Sequence, residues 1–152
     1  MVRKVNGFTI VEILIVIVIL SIAAAIIVGP IQQKIRAHNV ENEVKKIYGL
    51  LQEGRMIAFS QKKELTFELS SGSACLKDAS NNNVACVSLS YPFSMNTTGL
   101  TITDRGTFDP DNGAGATIYY TGDIKSPTVD CMKIYTTRVR MGVWNGSECV
   151  LK

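Results

Sequence analysis

Polar positions nearly vanish near the start of the chain. Residues 8–28, FTIVEILIVIVILSIAAAIIV, hold one ionisable side chain, Glu12. As a helix this run is ~31 Å long at 1.5 Å per residue, which matches a bilayer core of about 30 Å. The pattern predicts a transmembrane helix. After Pro30 the character changes: Ile31, Ile35, Val40, Val44, Ile47, Leu51 and Ala58 recur at steps near 3.6 among Gln, Lys, Arg, Glu and Asn. That spacing predicts an amphipathic helix over about 31–60 with one buried face. Gly49 and Gly54 are its weak points.

From Lys63 the period becomes two. ELTFELSS sets Leu65, Phe67 and Leu69 against Glu64, Thr66 and Glu68, a half-buried strand. SNNN at 80–83 is turn chemistry, and VACVSLSY after it reads as a second strand. Further strands are expected at LTIT (100–103), ATIYYT (116–121), CMKIYTT (131–137), RVRMGVW and SECVLK, the last two joined at the hairpin signal Asn145-Gly146. A loop is expected around 109–115. The fold class is therefore α+β: a long N-terminal helix, half apolar and half amphipathic, packed on an antiparallel sheet or small sandwich. The chain divides into an apolar helix (8–29), an amphipathic helix (30–60) and a β-rich domain (61–152).

Charge adds little. The formal charge is +3, and Arg3 and Lys4 at the extreme start supply two of the three. The remainder is close to neutral and lacks the basic footprint of a nucleic-acid-binding domain. Arg138 and Arg140 alternate along a strand and so share a face, with Lys133 nearby; such a patch could hold phosphates of DNA. A solvated strand face is the simpler expectation.

All four cysteines, Cys75, Cys86, Cys131 and Cys149, lie in the second half of the chain. No C-x-x-C occurs, and the single histidine, His38, is distant in sequence, so zinc is not expected. Two disulfides fit an exported domain better. Three pairings are open, of which Cys75–Cys86 with Cys131–Cys149 is the most local.

Glu12 needs an explanation, because a carboxylate in an apolar run is costly in protein or lipid. Two plain readings are a secretory signal cut near Ala23-Ala24-Ala25 and a simple signal anchor. A third accounts for the basic prefix, Gly7 and Glu12 together. The stretch KVNGFTIVEILIVIVILSIAAAIIVGP resembles the amino-terminal signature of type IV pilin-like proteins. The resemblance implies a leader, 1–7, removed by cleavage between Gly7 and Phe8, with N-methylation of Phe8. It also makes Glu12 the assembly glutamate and Pro30 a helix-kinking proline. The implied partners are a prepilin peptidase that also methylates, other pilins or pseudopilins, and an inner-membrane assembly platform. The implied location is single-pass in the inner membrane, with the C-terminal domain outside the cytoplasm, before transfer to a pilus or pseudopilus.

EGRMIAFSQKKELTFEL and TTRVRMGVWNG resemble the FimT/GspH-like group, which comprises minor type IV pilins and H-type pseudopilins of type II secretion. From a different class, the alternative is a membrane-anchored extracytoplasmic binding domain, with DNA as its ligand. Asp109 and Asp111 in DPDNGAG look superficially like a calcium loop, but the EF-hand glycine spacing and terminal glutamate are missing. No nucleophile–base pair, phosphate loop or dinucleotide fingerprint occurs, so neither enzymatic activity nor a cofactor is expected.

Overall fold

The computed structural model describes residues 8–111, 113, 115–124 and 127–151, with only the backbone at 25–30. The chain divides into two compact units, Met1–Ile35 and Arg36–Lys152. One helix, α1, spans Ile10–Gln61. In the second unit its buried stripe comprises Val40, Val44, Ile47, Leu50, Leu51 and Ala58. Ile31 and Ile35, expected on that stripe, are instead 47% and 55% exposed. The second unit begins only at Arg36, and burial starts at Val40.

The span expected over 8–28 is overturned. Among the described residues no helix is long and apolar enough to cross a membrane. The expected single-pass inner-membrane placement falls with it.

Ten strands follow among the described residues: β1 (Leu65–Ser70), β2 (Ser73–Lys77), β3 (Asn83–Ser88), β4 (Phe93–Met95), β5 (Leu100–Ile102), β6 (Phe108–Pro110), β7 (Ala116–Tyr120), β8 (Cys131–Ile134), β9 (Val139–Trp144) and β10 (Cys149–Leu151). They form two five-stranded sheets, ordered β3-β2-β1-β5-β6 and β10-β9-β8-β7-β4. Every pairing is antiparallel. The long helix packed against two antiparallel sheets gives the α+β fold expected of a pilin-like chain. In β1 the period-two pattern holds at Leu65 and Phe67, which are buried, while Thr66 and Glu68 are exposed. The expected loop at 109–115 is shorter, because its first residues belong to β6. Pro110 is tolerated there because β6 is an edge strand.

The core joins Ile47, Leu51 and Ala58 of α1 to Leu65, Phe67, Leu76, Leu100, Ile102 and Phe108 of the first sheet. From the second sheet it takes Ile118, Met132 and Ile134. Gly54 lets the helix come close: a Cβ there would lie 2.7 Å from Ile102 Cδ1 and 2.8 Å from Leu76 Cδ1. The other glycine of this helix segment, Gly49, would meet nothing within 4 Å. So one apparent weak point is a packing requirement and the other is open space. Arg55 Nε donates to the Gly106 carbonyl at 2.8 Å, and its guanidinium lies 5.3 Å from the Phe108 ring centroid. The helix closes where Lys62 turns left-handed (φ 53°) and Lys63 N–H reaches back to Ala58 O at 3.2 Å.

Candidate functional site

The start of α1 is built from a short local code. Thr9 precedes the first helical residue, Ile10, and its Oγ1 accepts the Glu12 N–H at 3.2 Å. Its carbonyl accepts the Ile13 N–H at 3.2 Å. Thr9 is thus the N-cap and Glu12 the third helical residue. This is the T-x-x-E arrangement that satisfies amide groups left without partners at a helix start. The signal stands in the sequence at residues 9–12, where Thr9 belongs to the register of the apolar run's start and the structure adds its capping role. Glu12 also sits in the first turn, where a carboxylate complements the positive end of the helix dipole.

Beyond the cap, no face of the helix is covered over residues 10–24. Phe8 is 79% and Ile10 84% exposed, while Ile13, Leu14, Ile15 and Val16 are each half exposed or more. Four consecutive residues sample every side of a helix, so the apolar surface runs around the whole circumference. Such a helix segment needs apolar surroundings, which the described residues do not supply. Gly7 lies outside the described residues. So does the side chain of Pro30, and the expected kink there is not described.

The remaining sequence-derived positions are dispersed over the second unit. Cys75 is joined to Cys86, register partners on β2 and β3. Cys131 is joined to Cys149, linking β8 to β10 across β9. Gly142 of β9 lies beneath this second bridge. A Cβ at 142 would sit 3.1 Å from Cys149 Sγ and 2.2 Å from Val150 O. Arg138 precedes β9 and lies over the Tyr135 ring at 5.3 Å. Arg140 stands opposite Lys133 in the ladder. Asp111 accepts a hydrogen bond from Thr98 Oγ1 at 3.4 Å, and Asp109 is exposed. His38 lies 3.6 Å from Glu41, which also pairs with Lys45 at 2.8 Å. The Lys45 hydrogen bond holds the Glu41 carboxyl below its ordinary range, with a smaller contribution from His38.

Residues 2–28 match the prokaryotic N-terminal methylation motif. No curated protein and no solved structure matches the chain. The motif implies processing by a prepilin peptidase and methyltransferase. Together with the α+β architecture, it is consistent with a pilin or pseudopilin subunit.

Proposed function

We propose that this chain is a structural subunit, a minor pilin or pseudopilin, of a type IV pilus or a type II secretion pseudopilus. Cleavage between Gly7 and Phe8 and methylation of the new terminus prepare it for assembly through its N-terminal helix. One observation carries the reading: the methylation motif covers the start of a helix whose described apolar side chains over residues 10–24 are uncovered on every side. Sister subunits would supply the missing surroundings by packing their own helices against it. The narrower FimT/GspH-like assignment is supported by EGRMIAFSQKKELTFEL, the passage that forms the end of α1 and leads into β1.

In this reading Glu12 has two roles. Within the chain it occupies the first turn beside the Thr9 cap. Between chains its carboxylate neutralises the terminal amine on a neighbour's Phe8, where an unmatched cation among apolar helices would cost several kcal/mol. Glu12→Gln separates the two, since the amide still accepts a hydrogen bond but carries no charge. The variant should be cleaved after Gly7 yet poorly incorporated. Cleaved cell-associated protein is compared with protein in sheared filaments, or with a crosslinked partner if the subunit is scarce. Wild-type incorporation of Glu12→Gln would refute the intersubunit role.

A further inference from the structure

The sheet β10-β9-β8-β7-β4 turns Ile118, Met132 and Ile134 into the core, and the alternate residues point to its other face. On that face Tyr119 and Trp144 stack, with ring centroids 4.0 Å apart and planes 9° from parallel. Both residues are half-buried. The pair lines a depression of about 450 Å³ together with Asn96, Thr117, Lys133 and Glu148. That volume lies within the range of about 300–1,000 Å³ common for small-molecule sites. Cys149 lines it too, so the Cys131–Cys149 bridge holds one wall in place.

The polar groups are set for a ligand with hydroxyls. Asn96 Oδ1 accepts the Thr117 N–H at 2.7 Å, which fixes the amide plane. Its Nδ2 makes no hydrogen bond among the described residues and remains a donor. Lys133 and Glu148 form no ion pair among the described residues. The geometry points to a binding site for a neutral saccharide. A sugar ring's C–H face lies on the aromatic pair. Its hydroxyls accept from Asn96 Nδ2 and Lys133 Nζ and donate to Glu148.

Charge and polarity select this class over two others. One cation and one carboxylate cancel at the rim, so a phosphate chain would meet Glu148 as well as Lys133. An apolar peptide would leave the amide, ammonium and carboxylate without partners. Arg140 lies opposite Lys133 in the ladder but does not line the depression.

Trp144 is the only tryptophan of the chain, so its emission reports on the site. The full-length chain, held in a polyoxyethylene detergent free of sugar headgroups, is titrated with cellotriose, chitotriose and a galactotriose. At least one should change Trp144 emission saturably. Lys133→Met should weaken that binding at least tenfold with the near-ultraviolet dichroism of the aromatic pair retained. Arg140→Met, which removes a neighbouring charge outside the depression, should leave it unchanged. The inference is overturned if no trisaccharide alters the emission, or if both variants weaken binding equally. Tighter binding of a single-stranded oligothymidylate than of every sugar would also overturn it, by making the face an anion surface.

Discussion

Glu43 carries a carboxylate into the core unit at 4% exposure. Its two oxygens accept the backbone N–H groups of Ser90 and Tyr91 at 2.7 and 3.0 Å. The helix is thereby fastened to a segment almost fifty residues away. Glu43→Gln presents an N–H₂ to one of those amides, and should cost about 1–3 kcal/mol in denaturant unfolding. Nothing in the sequence marked this residue, because an acid on an amphipathic helix reads as solvated and its partners are distant main-chain amides. Asp78 has a local role. Its carboxyl is held below its ordinary 3.8, first by the Asn82 backbone N–H and then by the Asn82 side chain and the Ser80 N–H. A depressed carboxyl stabilises fully above 3.8 and loses that contribution as the pH falls through its folded-state value. Protection of the Asn82 amide, its exchange rate relative to the intrinsic rate at the same pH, should therefore fall on acidification below about pH 4. Unchanged protection there would contradict the assignment.

At the scale of elements, the two helix glycines make opposed predictions. Gly49→Ala gains helix propensity, worth up to about 1 kcal/mol, with open space to accept the methyl. Gly54→Ala gains the same propensity but presses on Ile102 and Leu76, both fully buried. Side-chain ends can rotate on a surface, but in a close-packed core overpacking costs about 1–3 kcal/mol. Thermal unfolding should show the first variant stabilised and the second destabilised by about 1 kcal/mol. Each disulfide should contribute roughly 3 kcal/mol on the chain-entropy model, read as the shift in denaturation on reduction.

The same scale shows what the sequence could express. Strongly alternating β1 and the stripe at Val40, Val44, Ile47 and Leu51 were legible because their periodicity reflects burial on one face. The short strands β2, β4 and β6 were not. Phe93–Met95 and Phe108–Pro110 hold three residues each, too few to display a period, and pairing partners decide their state. SACLK of β2 follows a Ser-Gly turn and opens with three small residues, so no period-two hydrophobic pattern marked its two buried positions, Ala74 and Leu76.

For the whole molecule, a unit with its own core, Arg36–Lys152, is joined in one chain to a helix whose apolar surface is uncovered. The sequence displayed the helix start unusually well: Gly7, Phe8, Thr9 and Glu12 stand in fixed register before the apolar run. It misled about the continuation, where the apolar run promised a membrane span that no helix among the described residues provides. Thr9→Ala should weaken the helix start by about 1 kcal/mol, read as faster amide exchange at Glu12 and Ile13. The central claim concerns the junction before that cap. Terminal-peptide and intact-mass analysis of the chain from its native cells tests it most directly. The account predicts a mature chain that begins at Phe8 and carries one extra methyl group. A mature chain beginning at Ile26, or an uncut Met1 beside an active prepilin peptidase, would contradict it.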